Sequence, residues 1–393
     1  MIISKDNKNS NIAIKLAALS LAGESLSEIP YTDEEMEAVF EYAKTASIGA
    51  ITYMAIENAL TEDQAFDEDS FYFKWKSLRL NAYRRNMLFD KETKKILNFF
   101  NQNDIWYMPL KGSLIKNLYP TPDVREMNDV DILIDDTKRE ATKEFMLSNG
   151  YKPWAHKDGD DDENSDDYVK DPFLYYEIHR CLFEKTYSPE IAKHYENAKD
   201  MLLKDEGNNC GYHFTAEEFY IYLLVHAYKH FIRNGVGVRF LMDVYVYLNS
   251  HQELDLEYID NTCEKLGIKT FENDVRKVAK LMFDLNTEVA EDSLTKTEKS
   301  VYESIIGAGV FGNIETRWKN QVYDLDPTGE ISKAKYIKSR LFPDDKWYRI
   351  YHPFVYKHKI VKPFFIIYRG TVMLFRGRKN VKKEMDQVGG KDA

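Results

Sequence analysis

The spacing of apolar residues divides the chain into two helical regions that flank a short segment of strands. In residues 11–100 and again in 215–319, apolar side chains recur at the three- and four-residue spacing of amphipathic helices. In residues 101–185 the apolar residues form short runs, some alternating with polar residues, as in strands. Residues 1–10 are polar and are expected to be loose. The pattern predicts an α+β fold, with a small mixed sheet between N-terminal helices and a C-terminal helical region.

Local signals mark the ends of several elements. Strands are predicted at 105–110, 129–134 and 173–179, and helices at 80–100 and from 113 to 118. A further helix from Lys138 to Asn149 ends at Gly150, because glycine commonly follows the last helical turn. Tyr31-Thr-Asp-Glu-Glu and Thr215-Ala-Glu-Glu have capping-box spacing, so each is expected to begin a helix.

The strand at 129–134 reads Asp-Val-Asp-Ile-Leu-Ile. Side chains on a strand alternate between its faces, so Asp129 and Asp131 project to the same side. Val130, Ile132 and Ile134 then face a core. Two buried carboxylates repel each other, and a divalent cation relieves the repulsion; Mg²⁺ favours one or two carboxylates with phosphates and water. The pattern predicts a Mg²⁺ site, and the alternative is an edge strand with solvated aspartates.

The run Lys111-Gly112-Ser113 ends sixteen residues before Asp129. Gly112 allows a tight turn and a close approach to the backbone. The N–H groups at the start of the following helix, together with Lys111, form a site for an anion such as phosphate. Taken alone, the same run would be an ordinary turn between a strand and a helix.

A third carboxylate would complete a metal site and remove a proton from an attacking hydroxyl. The best candidate is Glu177, because the run from Phe173 to His179 alternates as a strand does. The alternation places Tyr175, Glu177 and His179 on one face. The acidic stretch from Asp158 to Asp167 is expected to be a mobile loop whose carboxylates are solvated.

Together these motifs resemble a family of bacterial nucleotidyltransferases with the DNA polymerase beta superfold. The resemblance rests on Leu-Lys-Gly-Ser, Leu-Tyr-Pro, Arg, Asp-Val-Asp-Ile-Leu-Ile and Glu-Ile-His in the central segment. Farther along, it includes Ala216-Glu-Glu-Phe, His226-Ala-Tyr-Lys-His230, Arg239-Phe-Leu-Met-Asp243 and Gly309-Val-Phe-Gly312, and in all it covers residues 75–375. The separation of Ser113 from Asp129 exceeds that of many superfold members and fits an extra turn at Tyr119-Pro-Thr-Pro122.

The resemblance implies an enzyme that moves an NMP from an NTP to a hydroxyl acceptor and releases pyrophosphate. The acidic residues would hold two Mg²⁺ ions, for which Mn²⁺ can substitute: Asp129, Asp131 and Glu177. The triphosphate would lie against the turn: Lys111, Gly112 and Ser113. Arg125 is a further candidate for phosphate binding, with a surface salt bridge as the alternative. ATP is one candidate for the NTP, but the sequence identifies neither the base of the nucleotide nor the acceptor.

The second helical region carries His226 and His230 one turn apart, on one face. One interpretation is a metal pair or a phosphate contact near the cleft; the other is two histidines hydrogen-bonded to neighbours such as Asp243. The pair lacks the glutamate of a zinc protease helix, so zinc is disfavoured. The resemblance implies that both histidines, with Arg239 and Asp243, line or brace the cleft, and His179 is a further candidate.

We expect four regions along the chain. They are an N-terminal helical region at 1–100, a nucleotidyltransferase α/β core at 101–212, a helical domain at 213–340 and a basic, apolar C-terminal segment at 341–393.

The amino-acid composition limits the cellular locations and the binding partners to be expected. The net charge of −11 argues against binding to bulk nucleic acid, which requires a basic surface. Three cysteines without metal-ligand spacing indicate a reducing cytoplasm: Cys181, Cys210 and Cys263. The apolar stretch 12–22 is short and contains Lys15, so it does not read as a signal peptide, and no run reaches the length of a spanning helix.

The C-terminal segment differs from the rest of the chain. From Lys357 to Lys383 there are nine Lys or Arg and no Asp or Glu, interleaved with apolar residues. Such a helix can lie at the periphery of an anionic membrane. It can equally dock on the acidic body of the protein or on a partner, because a basic and apolar composition suits all three interactions.

Two other functions stay open beside nucleotidyl transfer. One is a nucleotide-binding or scaffold protein without catalysis, which the presence of all three carboxylates disfavours. The other is a toxin-like nucleotidyltransferase that acts on RNA, which the negative charge disfavours although the basic C-terminal segment offers a local RNA contact.

Overall fold

The computed structural model describes residues 1–4, 7–154, 164–184, 188–233, 235–308, 314–327, 338–339, 341–343, 345, 347–348 and 352–375. Within these residues, helices surround one five-stranded mixed sheet, which confirms the predicted α+β class. The run from Gly309 to Gly312 lies outside the described residues.

The N-terminal region is helical, as predicted. It contains strand β1 (Ile2–Ile3) and helices α1 (Lys8–Leu21), α2 (Asp33–Thr45), α3 (Gly49–Ile56), α4 (Glu62–Phe66) and α5 (Phe71–Gln102). Thr32 caps α2 through the predicted capping box, in which the Thr32 hydroxyl accepts from the N–H of Glu35 and the Glu35 carboxylate accepts from the N–H of Thr32. Helix α5 begins before the predicted start at Leu80 because Ser70 caps its first turn.

For the described residues 1–4 and 7–10, the expectation of a loose N-terminus is wrong. Strand β1 pairs in parallel with Val289–Ala290, Met1 and Ile2 are buried, and α1 already begins at Lys8. The partner strand lies nearly three hundred residues away along the chain. Local composition therefore carries no signal for this pairing.

The central segment forms the sheet. Its elements are β2 (Tyr107–Pro109), α6 (Gly112–Ile115), β3 (Val130–Ile134), α7 (Arg139–Ser148), β4 (Lys152–Pro153), β5 (Ser165–Lys170) and β6 (Leu174–His179). The strand order is β2-β3-β6-β5-β4; β3 and β6 run parallel, and the other neighbouring pairs are antiparallel. Gly150 follows α7 with a φ of 82°, the left-handed conformation expected of a glycine after a helix.

Strand β5 was not predicted, because its sequence belongs to the acidic stretch interpreted as a loop. Asp166 and Asp167 lie in this strand, so for them the loop prediction is wrong. Arg139 donates to Asp166 at 2.7 Å, and the Tyr175 hydroxyl donates to Asp167 at 2.6 Å. Partners on helix α7 and strand β6 thus satisfy carboxylates that the sequence alone presents as solvated. The part of the stretch from 158 to 163 lies outside the described residues.

Strand β3 is buried on both faces. Val130, Ile132 and Ile134 pack into a core with aromatic residues of α5, and Leu133 belongs to the larger core on the other side. A central strand covered on both faces requires this apolar density. The predicted direction of the three apolar side chains into a core is confirmed.

The remainder of the described chain is mainly helical. Its elements are α8 (Pro189–His194), β7 (Leu203–Lys204), β8 (Tyr212–His213), α9 (Ala216–Arg233), α10 (Val238–Ser250), α11 (Leu256–Lys265), α12 (Lys269–Phe283), β9 (Val289–Ala290), α13 (Lys296–Ala308), α14 (Ile314–Leu325), α15 (Pro353–Lys357) and α16 (Lys362–Phe375). Thr215 accepts from the N–H of Glu218 at 3.2 Å, which confirms the predicted start of α9. No helix in the described part of the chain has the length and apolar character to cross a membrane.

One hydrophobic core joins the N-terminal and C-terminal helices. Leu16 of α1, Ile51 of α3, Leu224 of α9 and Val275 of α12 all belong to it. The helices that precede and follow the sheet in sequence therefore stabilise each other. The division into four regions at residues 100, 212 and 340 stays a prediction.

Candidate active site

The parallel pairing of β3 and β6 brings two acidic residues side by side. Asp131 and Glu177 are direct partners in the register, and Glu177 and His179 lie on the same face of β6. One ligand atom from each of Asp131, Glu177 and His179 lies within 4.8 Å of the others. This Asp–Glu–His cluster is buried or half-buried, and its geometry allows it to hold a metal ion.

Positive groups surround Asp131. The Lys111 ammonium donates to Asp131 Oδ1 at 2.6 Å, and His179 Nε2 lies 2.9 Å from the same oxygen. His179 Nε2 is also 3.4 Å from Glu177 Oε2. The run that carries Lys111 and the strand that carries Asp131 thus form one charged centre.

Burial and neighbouring charges shift the pKa values of the groups at this centre. Burial and the Asp131 charge raise the pKa of Glu177 to about 7. Burial would lower the pKa of His179, but hydrogen bonds to Asp131 and Glu177 outweigh it and raise that pKa to about 9. Despite burial, Lys111 and His179 hold the pKa of Asp131 well below its usual range. Carboxylate oxygens suit Mg²⁺ or Mn²⁺, so the acidic residues fit such an ion.

Asp129 lies just before the first paired residue of β3, and it is half-buried. Burial and the neighbouring Asp131 charge raise its pKa, so it belongs to the same electrostatic centre. The tight cluster nevertheless contains His179 and not Asp129. The ladder of β3 starts at Val130, and the Asp129 carboxylate is therefore not positioned by strand pairing. The assignment of Asp129, Asp131 and Glu177 as metal ligands stays a prediction.

The Lys111-Gly-Ser run connects β2 to α6. Lys111 has a φ of 46°, which non-glycine residues rarely adopt and which often marks a functional site. A Cβ at Gly112 would clash with the Arg125 guanidinium and lie 2.9 Å from Met127 Sδ, so a larger residue there would displace these side chains. The Ser113 hydroxyl is buried and has no hydrogen-bond partner among the described residues. A buried hydroxyl without a partner is free to donate to a ligand.

Arg125 lies in a buried ion pair and not on the surface. Its Nε and Nη2 donate to the two carboxylate oxygens of Asp243 at 2.7 and 2.8 Å, and the Tyr119 hydroxyl donates to the same carboxylate at 2.8 Å. The pair connects the segment before β3 to helix α10. Phosphate binding by Arg125 stays a prediction, and it would use Nη1, which faces Met127 Sδ at 2.9 Å.

Two other guanidinium groups lie near Asp129. Arg239 donates to the carbonyl of Glu126 at 2.6 Å, and no carboxylate of the described residues lies within ion-pair distance of it. Arg85 lies over the Phe173 ring at 4.8 Å, and its buried Nε has no partner in the described structure. Burial lowers the pKa of both groups, and the Asp129 charge opposes this effect.

Sequence reasoning did not select Arg85 as a site residue. The sequence does show two consecutive arginines, Arg84 and Arg85, in a helix that leads into the sheet. It does not show which of them points inward; in the structure Arg84 is exposed and Arg85 is half-buried.

His226 and His230 lie on α9 with ring centroids 4.6 Å apart. Burial and the Lys111 charge lower the pKa of His226 well below its usual value, which places this imidazole near the charged centre. Asp243, the expected hydrogen-bond partner, is bonded to Arg125 and Tyr119 instead. In the described residues, neither histidine belongs to the cluster that could hold a metal.

A groove of about 650 Å³ opens beside this centre. Helices α2 and α5 and the segment 126–128, which immediately precedes Asp129, form its walls. The lining combines aromatic and aliphatic side chains with lysines, Arg85 and acidic residues: Phe40, Glu41, Lys44, Glu68, Phe73, Lys74, Ser77, Leu78, Asn81, Ala82, Arg85, Glu126, Met127 and Asn128. Its size and mixed lining suit a small amphiphilic molecule.

A family model described as an uncharacterised nucleotidyltransferase matches residues 32–284. The chain belongs to this nucleotidyltransferase family. The match includes the whole sheet and every site residue described above, and it ends before the C-terminal segment. Comparisons with curated proteins and with solved structures give no match. Membership in the family implies that the protein binds a nucleotide substrate.

Proposed function

We propose that this nucleotidyltransferase moves an NMP from a Mg²⁺-bound NTP to a hydroxyl acceptor and releases pyrophosphate. The observation that carries the proposal is the register pairing of Asp131 with Glu177 beside the Lys111-Gly-Ser turn. The acids supply oxygen ligands, and the turn supplies a lysine and an unpartnered hydroxyl for phosphate. An anion site next to a cation site is the arrangement that a Mg·NTP complex requires.

Asp129, Asp131 and Glu177 would hold Mg²⁺, with Mn²⁺ as a possible substitute. When bound, the ions neutralise the phosphates and stabilise the charge that develops during transfer. The Ser113 hydroxyl donates a hydrogen bond to a phosphate oxygen, and Lys111 exchanges its contact with Asp131 for one with the β- or γ-phosphate. Arg239, which lacks a carboxylate partner in the described structure, is available for a further phosphate contact.

Glu177 is the proposed acceptor of the proton. Its carboxylate lies beside Asp131 at the acidic centre, where it can take a proton from the acceptor hydroxyl. The hydroxyl oxygen forms a bond to the α-phosphorus, the bond from the α-phosphorus to the bridging oxygen breaks, and pyrophosphate leaves with that electron pair. His179 holds the Glu177 carboxylate in position through its 3.4 Å contact.

The acceptor is proposed to enter through the groove between α2, α5 and the segment 126–128. This groove leads to Asp129 from the side of Arg85, whereas Lys111 lies near α9 on the side of His226. Separate routes would allow the two substrates to meet at the acidic residues. The lining favours an acceptor with both an apolar part and a charged or polar part.

Labelling with α-labelled NTPs tests the proposed reaction. Each of the four NTPs is incubated with the protein, a fractionated cell extract, and either Mg²⁺ or a chelator. Mg²⁺-dependent transfer of label to a product, with equal release of pyrophosphate, supports the proposal. Calorimetric binding of Mg·NTP without a labelled product would instead indicate a scaffold, and label on RNA would indicate the toxin-like alternative.

A cytoplasmic location is proposed with this function. Two of the three cysteines, Cys210 and Cys263, are buried free thiols in the structure. Free thiols persist in a reducing compartment.

A further inference from the structure

The last described helix presents apolar side chains on two of its sides. On its inner face, the Phe365 ring lies 4.5 Å from the ring of His352 and 6.1 Å from that of Tyr348. On its outer face, Phe364, Ile367 and Tyr368 are 70%, 66% and 60% exposed. Phe365 is therefore half-buried against these rings, while Phe364, Ile367 and Tyr368 are exposed.

Large exposed apolar residues are concentrated between residues 354 and 368. Phe364, Ile367 and Tyr368 follow at intervals of three and four residues, so they share a side of α16. Ile360, in the turn before α16, is 86% exposed, and Phe354 of α15 is 66% exposed. These five residues are here called the outer apolar surface. Scattered exposed apolar side chains are ordinary, but several large ones close together in the chain indicate a binding surface.

Basic residues accompany the outer apolar surface. Lys357 and Lys359 are exposed immediately before Ile360. From 346 to 383 the sequence contains no Asp or Glu, although the whole chain has a net charge of −11. The segment is thus a local positive region on an acidic protein, and its complement is a surface that is both apolar and anionic.

We propose that the outer apolar surface binds the face of an anionic lipid bilayer. Phenylalanine and isoleucine side chains would enter the boundary between headgroups and acyl chains, Tyr368 would lie at headgroup level, and the lysines would contact lipid phosphates. Helix α16 has 14 residues, fewer than a spanning helix needs, so it would lie along the surface. This proposal does not depend on the proposed nucleotidyl transfer.

Vesicle sedimentation of the full-length protein tests the proposal. The vesicles contain phosphatidylcholine alone or phosphatidylcholine mixed with phosphatidylglycerol. We expect the protein to sediment with the mixed vesicles and to remain mostly in solution with phosphatidylcholine. Replacing Phe364→Ser and Ile367→Ser together should weaken binding by about tenfold or more, because two large apolar side chains are lost from the interface.

Two further variants separate the contributions. Lys357→Glu with Lys359→Glu should weaken binding to the anionic vesicles, and added salt should weaken binding of the wild type. Phe66→Ser is the matched control, because Phe66 of α4 is 67% exposed but lies outside this surface. Circular dichroism and the melting temperature should be unchanged in all variants.

Equal sedimentation of the Phe364 and Ile367 variant and the wild type would overturn the proposal. So would failure of the wild type to bind anionic vesicles. A shift from dimer to monomer in the apolar variant, without any vesicle binding by the wild type, would instead assign the surface to a second copy of the chain.

Discussion

Asp131 of β3 and Glu177 of β6 face each other directly in the only parallel strand pairing within the five-stranded sheet described. Adjacent strands lie about 4.8 Å apart, so the two side chains are held close by backbone hydrogen bonds on both sides. Lys111 and His179 both contact the Asp131 carboxylate. The acidic centre is therefore rigidly placed, and its parts act together.

Ser113→Ala tests the proposed phosphate contact. The Ser113 hydroxyl is buried without a partner in the described structure, so its removal should leave the melting temperature unchanged or slightly higher. Affinity for Mg·NTP should fall about tenfold, the typical cost of losing a hydrogen bond to a charged group. Calorimetry and thermal unfolding measure the two effects. Ser148→Ala, on the exposed end of α7, should change neither; unchanged NTP affinity in Ser113→Ala would remove this residue from the site.

Asp243→Leu tests the structural role of the Arg125 ion pair. The change leaves the Arg125 guanidinium buried and unpaired, and we expect it to lower the free energy of unfolding by about 3–5 kcal/mol. Combining it with Arg125→Met should restore part of the loss, because the double variant no longer buries an isolated charge. Urea unfolding provides the measurement. A double variant that is less stable than Asp243→Leu would contradict the ion-pair interpretation.

Glu92→Gln tests whether the ion pair between Glu92 of α5 and Lys170 of β5 stabilises the fold in a pH-dependent way. Burial would raise the pKa of Glu92, but Lys170 and Lys95 outweigh it and lower the pKa to about 2. The folded pKa lies below the unfolded value, so the stabilisation is complete above the unfolded pKa and is lost as the pH falls through the folded pKa. We expect the variant to be less stable by about 1–3 kcal/mol at neutral pH.

Urea unfolding at several pH values measures the free energy of unfolding of the wild type and the variant. The difference between the wild type and Glu92→Gln should narrow between about pH 5 and pH 2. Asp136→Asn, a change at an exposed residue, should track the wild type over the same range. A difference that is constant with pH would show that the Glu92 charge does not contribute.

Asn81→Trp tests the proposed acceptor groove. Asn81 is exposed and lines the groove on α5, so a tryptophan there should obstruct entry without disturbing the core. Mg·NTP binding should be unchanged, while transfer of label to the acceptor should fall about tenfold or more. Tyr83→Trp, an exposed change on the same helix outside the groove lining, is the control. Undiminished label transfer by Asn81→Trp would place the acceptor elsewhere.

The sequence predicted the strands and residues of the site better than the contacts between them. The apolar density of 129–134 revealed a buried strand. The alternation of polar and apolar residues in 173–179 placed Glu177 and His179 on one face of a second strand. Alternation could not reveal that Asp131 is the register partner of Glu177, because strand order is not a local property. Nor could it pair Arg125 with Asp243, which lies 118 residues away. Strand β5 was missed because its carboxylates appear solvated in the sequence, whereas Arg139 of α7 and Tyr175 of β6 bind them in the fold.

Label transfer by the acidic-site variants tests the central proposal most directly. Wild type, Asp131→Asn, Glu177→Gln and the exposed control Asp136→Asn are incubated with Mg²⁺, α-labelled NTP and cell extract, after circular dichroism has verified the fold of each. We predict that Asp136→Asn transfers label as the wild type does, while Asp131→Asn and Glu177→Gln lose it by at least about a hundredfold. Transfer at the wild-type rate by both site variants would contradict the proposed active site.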